Sequence, residues 1–214
     1  PPYNFNWKNG EGATVSADQN PTGLPAGNYC GTITDANGCT FSSPHYISLT
    51  DPDPVISSYT TSDVTCFGGS DGEISIASTG GTGPYMYSIQ GDIDTTYQSD
   101  ATFPSLNAGT YTVWTRDVNL CVISGAVTLS EPDSMVIASE TVSGSILCYG
   151  DSTVEISIGT VTGGTGPYSY SINGGADFYP SPVFSNLPAG DYQTVVQDTE
   201  GCLQPGELHQ IVQP

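Results

Sequence analysis

The sequence predicts an all-β protein, a tandem series of immunoglobulin-like antiparallel β-sandwiches joined into a rod. Three observations predict it. Apolar and polar residues alternate over short runs such as Glu73-Ile74-Ser75-Ile76 and Glu155-Ile156-Ser157-Ile158, the period of a strand with one buried face. Gly-rich turns such as Asn37-Gly38 and Gly68-Gly69-Ser70-Asp71-Gly72 separate the runs, and no stretch carries a helical period. The pattern recurs about every 80 residues.

Each copy reads in the same order. Gly80-Gly81-Thr82-Gly83-Pro84-Tyr85 returns as Gly163-Gly164-Thr165-Gly166-Pro167-Tyr168. The strand Tyr85-Met86-Tyr87-Ser88-Ile89 matches Tyr168-Ser169-Tyr170-Ser171-Ile172 and, near the start, Tyr3-Asn4-Phe5-Asn6-Trp7. In all three, the first, third and fifth residues are large and apolar and are expected on one face, toward a core. Ile47 and Leu49, then Val127 and Leu129, repeat that expectation in the last strand. About seven short strands per copy predict a small sandwich. Asp51-Pro52, Glu131-Pro132 and Gln213-Pro214 close the copies, and proline makes these junctions short and stiff. The expected domains are 1–54, the C-terminal part of one copy, then complete copies at 55–135 and 136–214. An incomplete first copy, opening on Pro1 instead of an initiator Met, suggests a processed or excised segment. Its missing strands are expected upstream in the natural chain or from another chain.

Composition narrows the function. The 214 residues carry 22 Asp and Glu against 2 Lys and Arg, a net charge of -20. Phosphate-backbone recognition needs cations, so no nucleic-acid partner is expected. Anionic lipid surfaces are disfavoured too, and no apolar run approaches the ~20 residues of a membrane span. Charged residues total 11%, which is not a polyelectrolyte tail, and 26 Gly, 16 Pro and 13 Tyr suit strands and tight turns.

Leu24-Pro25-Ala26-Gly27-Asn28-Tyr29, Leu106-Asn107-Ala108-Gly109-Thr110-Tyr111 and Leu187-Pro188-Ala189-Gly190-Asp191-Tyr192 have the form of a tyrosine corner. There, a Tyr near the start of a late strand bonds its hydroxyl to upstream backbone. Tyr29, Tyr111 and Tyr192 take that structural role.

Together with Cys66-Phe67-Gly68-Gly69-Ser70-Asp71-Gly72, Cys148-Tyr149-Gly150-Asp151, and the closing runs Asp35-Ala36-Asn37-Gly38-Cys39, Asp117-Val118-Asn119-Leu120-Cys121 and Asp198-Thr199-Glu200-Gly201-Cys202, these motifs resemble the SprB repeat along the whole chain. The resemblance implies a very large surface protein of gliding Bacteroidota, exported by type IX secretion and attached at the outer membrane. The namesake is a mobile gliding adhesin moved by a membrane motor. Similar repeats occur in other large secreted proteins.

Six widely spaced cysteines, Cys30, Cys39, Cys66, Cys121, Cys148 and Cys202, form no CxxC pair and fit an oxidising, extracellular setting. The simplest pairing lies within copies, Cys66 with Cys121 and Cys148 with Cys202. In a plain immunoglobulin-like layout those positions fall at opposite ends, and Cys66 would instead face Cys202 of the next copy. Cys30 has no counterpart in the other copies. It is expected to pair with Cys39 or with a cysteine upstream.

Other sites are weaker. Asp51, Asp53, Glu131 and Asp133, near the junctions, are candidate calcium ligands, though no D-x-D-x-D-G loop is present. No cofactor is otherwise expected. His45 and His209 do not align between copies, and no G-x-S-x-G stands near them, so no enzyme is expected. Trp7, Trp114, Tyr97 and Tyr179 are candidate sugar-stacking residues, with Trp7 aligned to core positions. The family resemblance further implies O-glycosylation after Asp, with Thr95, Ser134 and Ser152 as candidate acceptors.

The expected function is a stalk segment of a surface adhesin filament, mechanical and adhesive in surface attachment and gliding. Its partners would be neighbouring repeats, a surface polysaccharide or substratum, and the secretion and gliding machinery. The alternatives are a carbohydrate-binding or spacer module of a secreted enzyme, or a polymerising fibre subunit.

Overall fold

The alternation of β-branched and aromatic residues with Ser, Thr and Asn yields strands throughout the computed structural model, which describes residues 2–214 apart from the side chain of Asp94. All of its sheets are antiparallel, and no α-helix occurs among the described residues. The chain divides into two compact units. One runs up to Val55 and includes Gly80–Thr82; the other holds Ile56–Thr79 and Gly83–Pro214.

The first unit is a single sheet. Its strands are β1 (Asn4–Asn9), β2 (Thr14–Ser16), β3 (Gly27–Thr34), β4 (Thr40–Ser42) and β5 (Ile47–Leu49). The order is β2-β1-β3-β4, and β5 continues the β4 side by pairing the start of β3. With no opposing sheet in the unit, the expected inward face of the last strand is open: Ile47 and Leu49 are 49% and 40% exposed, whereas Val127 and Leu129 are 7% and 1% exposed. The expectation that Ile47 and Leu49 face a core is corrected accordingly. Tyr3 is exposed, and Phe5 and Trp7 are half-buried. The Trp7 ring lies against Gly31, and its Nε1 donates to the Asp18 carbonyl at 3.0 Å.

The second unit contains two sandwiches. The first has β6 (Ile56–Ser62), β7 (Gly72–Thr79), β8 (Met86–Ser88), β9 (Thr102–Leu106), β10 (Gly109–Arg116) and β11 (Val122–Leu129). Sheet β6-β7-β9 faces sheet β8-β10-β11, six strands where about seven were expected. Ile74, Ile76 and Phe103 from one sheet meet Tyr87, Val113, Val127 and Leu129 from the other. Truncating a fully buried residue such as Ile74 to Ala would cost about 2–5 kcal/mol.

The second sandwich has β12 (Val136–Ile137), β13 (Glu140–Ser143), β14 (Val154–Ile158), β15 (Val161–Thr162), β16 (Ser169–Ser171), β17 (Val183–Leu187), β18 (Gly190–Gln197) and β19 (Leu203–Ile211). Its sheets are β13-β14-β17 and β16-β18-β19, with a β12-β15 pair that prolongs the first of them. Ile146, Val154, Ile156, Leu187, Ile158, Val161 and Val196 fill its interior.

The same local devices recur from copy to copy, the tyrosine corner in all three and the Gly-Gly-Thr-Gly-Pro turn in two. The Tyr29, Tyr111 and Tyr192 hydroxyls donate to the carbonyls of Pro25, Asn107 and Pro188, four residues upstream, at 2.6, 2.9 and 3.0 Å. Gly83-Pro84 and Gly166-Pro167 are cis. Each Gly-Gly-Thr turn folds back on the segment ahead of its copy: Gly81 N–H donates to the Asp53 carbonyl and Gly164 N–H to that of Asp133, at 2.6 and 2.7 Å. Glycine is required at Gly163, with φ 77°, because a Cβ there would collide with the Ser134 carbonyl.

Candidate functional site

The motif Asp-x-x-x-Cys builds one structure three times. The Asp carboxylate accepts from the backbone N–H two and four residues on: Asp35 from Asn37 and Cys39, Asp117 from Asn119 and Cys121, Asp198 from Glu200 and Cys202. The Asp N–H in turn donates to the Cys carbonyl at 3.0, 3.0 and 3.1 Å. An acceptor at the head of a tight turn satisfies donors that the turn would otherwise orphan, and so fixes where the thiol sits. The residue before Cys is left-handed, Gly38 and Gly201 in two copies and Leu120, φ 67°, in the third.

A second loop recurs ahead of β7 and β14. Gly69 N–H donates to the Cys66 carbonyl at 2.8 Å, and Asp151 N–H to that of Cys148 at 3.2 Å. The side chain closing the copy reaches back onto the loop: Glu131 accepts from Gly68 N–H at 2.6 Å and Gln213 from Gly150 N–H at 3.4 Å. Buried Val64 and Ile146 anchor the two loops from below.

Loop and turn meet at the junction of the two sandwiches, where Cys66 is bonded to Cys202, with Cα atoms 5.6 Å apart. Cys30, Cys39, Cys121 and Cys148 are free thiols. The expected pairings within copies, Cys66 with Cys121 and Cys148 with Cys202, are therefore corrected, as is that of Cys30 with Cys39. Strand geometry gives the reason. Val64 N–H donates to the carbonyl of Ser130, just beyond the far end of β11, whereas Cys121 directly precedes its first residue. The eight residues of β11 span about 25 Å, and a disulfide tolerates Cα separations only up to ~7 Å. Bridging 136 positions, the bond restricts the unfolded chain by about 5 kcal/mol in the loop-entropy treatment.

The junction is a packed contact. Cys66, Phe67, Pro132, Met135, Gly164 and Cys202 line a small pocket there, and Met135 is buried. Asp198 accepts from Thr165 N–H at 2.9 Å, and the Thr199 hydroxyl donates to the Thr165 carbonyl at 2.8 Å, tying the Cys202 turn to the Gly-Gly-Thr turn. The Ser130 hydroxyl and N–H hold the Asp63 carboxyl below its ordinary range, and hydrogen bonding at Thr65 lowers Asp71 in the same way.

The other candidate residues are dispersed. Asp51, Asp53, Glu131 and Asp133 are exposed, and the Glu131 carboxylate is engaged by Gly68. Among the described residues, the group with metal-ligand spacing is a different one, Glu140, Glu207 and His209, with ligand atoms within 4.8 Å. Glu140 and His209 are nearly buried, and the Glu140 carboxylate also accepts from the Thr194 hydroxyl and Glu207 N–H, so its oxygens are already engaged. Sequence reading missed this group by judging His209 only as a possible catalyst. Thr95, Ser134 and Ser152 are exposed. Trp114 is half-buried, Tyr97 stacks under the Arg116 guanidinium at 4.2 Å, and Tyr179 packs edge-on against Phe184.

Residues 58–92 and 141–177 match the SprB repeat. One match falls in each sandwich. Each match contains its copy's Cys66-type loop and Gly-Gly-Thr-Gly-Pro-Tyr turn. No curated protein matches the chain. Two solved structures, of the S-layer protein rSbsC(31-844) and of surface layer protein SbsC, domains 1-6, are similar at 11% identity and a TM-score of 0.30. Each comparison covers 98% of this chain but only 34% of the S-layer chain, so this chain spans about a third of their length.

Proposed function

We propose that this chain is a structural repeat segment of a secreted cell-surface protein, working as a covalently locked stalk in adhesion. The observation that carries the reading is the Cys66–Cys202 bond between successive SprB repeats. An enzyme needs one well-placed polar constellation; here the most regular polar structure is the thrice-built Asp-x-x-x-Cys turn, which in the last copy holds the thiol bonded to the neighbouring repeat. Bonds between repeats make them resist separation, which a projecting stalk requires and a catalytic domain does not. The net charge of -20 keeps such a chain soluble and self-repelling.

In the sense that the SprB repeat implies, the stalk is anchored at the outer membrane after type IX secretion. It joins neighbouring repeats to a distal region that grips polysaccharide or a solid substratum and is moved by the gliding machinery. Antibodies raised against residues 56–214 test this. Labelling of intact cells that surface proteolysis removes, with loss of attachment under flow when the protein is deleted, is the expected result. Label that appears only after lysis would overturn it.

A further inference from the structure

We propose that the loop around Cys148 is the receiving half of a further lock, binding the Asp-x-x-x-Cys turn of a following SprB repeat and forming a disulfide with it. This inference rests on the repeat assignment and holds whatever the cellular role of the stalk. The occupied junction supplies the template. Cys148 stands to β14 as Cys66 stands to β7, and the two loops share their internal bond, their reach-back from the closing side chain and their buried anchor. At Cys66 that loop holds Cys202. At Cys148 the same loop is formed and the thiol is free and exposed.

The surface around it favours a protein partner over solvent. Leu147, Tyr149 and Val212 flank the thiol and its closing segment at 79%, 82% and 81% exposure. Tyr149 occupies the place of Phe67, which lines the occupied junction. A cluster of large apolar side chains around a preformed loop is a contact surface awaiting cover. The occupant that fits is the piece already seated at the equivalent loop: a turn with an Asp acceptor, a left-handed residue and a cysteine, preceded by a Met135-type side chain.

The chemistry balances by exchange. Each of the two thiols loses a proton, one thiolate attacks an external disulfide and releases a thiol, and the second thiolate displaces the other half of the mixed disulfide. One S–S bond forms in the protein and one is reduced to two thiols in the oxidant, a small dithiol-class or glutathione-class disulfide.

A chain extended after Pro214 by a second copy of residues 133–214 tests this. It is refolded in a glutathione redox buffer and mapped as non-reduced peptides. The expected result is two links, Cys66 to the first Cys202 and Cys148 to the Cys202 of the added copy. In Cys148→Ser the second is lost and the first persists. Cys148 that remains fully alkylatable while Cys66–Cys202 is formed would overturn the proposal. So would Cys148 bonded to Cys121 or to a second molecule, or absence of the Cys66–Cys202 link that serves as template. A failure of the stalk role would appear instead in the cell-surface labelling and leave this map unchanged.

Discussion

The Glu140 carboxylate lies 2.6 Å from the Nε2 of His209 inside the last sandwich, with side chains 3% and 10% exposed. Strand pairing shows what this replaces. Glu140 faces Ile158 as Tyr59 faces Ile76, and His209 faces Tyr192 as Val127 faces Tyr111. Removing one partner of a nearly buried, hydrogen-bonded pair strands the rest, whereas replacing the set by apolar residues need not destabilise. Glu140→Ala is expected to cost about 3 kcal/mol in urea unfolding. The combined Glu140→Tyr, Thr194→Val, His209→Val variant should lie well above that single variant, and additive losses would refute the account.

The junction disulfide should dominate stability. Cys66→Ser or Cys202→Ser is expected to lower the unfolding free energy by up to about 5 kcal/mol, and a reductant should do the same to the parent chain. Cys121→Ser and Cys148→Ser, at exposed free thiols, should change it by less than about 0.5 kcal/mol. Pairing within copies predicts instead that all four substitutions are costly.

Leu120 occupies a left-handed position that Gly38 and Gly201 fill in the sister turns. A branched side chain there carries a penalty of about 1 kcal/mol, so Leu120→Gly should stabilise the first sandwich by that amount less the added flexibility of its unfolded chain. Gly201→Leu should destabilise the second. Thermal unfolding of both variants checks the pair of signs.

Acid should loosen the junction side of the first sandwich. Hydrogen bonds from Ser130 to Asp63, and at Thr65 to Asp71, lower both carboxyls in the folded state. The unfolded chain therefore binds more protons in that range. Their contribution is fully present above the unfolded carboxylate value near ~4 and is lost as pH falls through the lowered folded values. Melting temperatures followed from pH 6 to pH 2 should fall less steeply in Asp63→Asn and Asp71→Asn than in the parent.

Much of this architecture was legible in the residues. Alternation places Ile74, Ile76, Ile156 and Ile158 in cores, and the Leu-x-Ala-Gly-x-Tyr motif marks Tyr29, Tyr111 and Tyr192, since both are local patterns. The partner of Cys66 was legible only as one of two alternatives: the bond to Cys202 of the next copy is the one observed, but pairing within copies is the simpler reading, because connectivity depends on which loops two different sandwiches bring together in space. The exposure of Ile47 and Leu49 was not legible: alternation says which residues share a face, not whether a second sheet covers it. The Glu140–His209 pair left a faint signal, two polar residues where the preceding copy has Tyr59 and Val127, but a bulge in β18–β19 shifts the register and hides the alignment.

The Cys66–Cys202 bond also decides how far the chain can lengthen under tension. A pull along the chain that reaches Cys66 crosses sulfur to Cys202 and bypasses everything between. That segment covers 136 positions, which at about 3.4 Å per extended residue is about 460 Å of slack. Both sandwiches could lose their folds, and none of that slack would be released until the sulfur–sulfur bond was reduced. The segment is therefore a tether of nearly fixed length in an oxidising medium and an extensible spring in a reducing one.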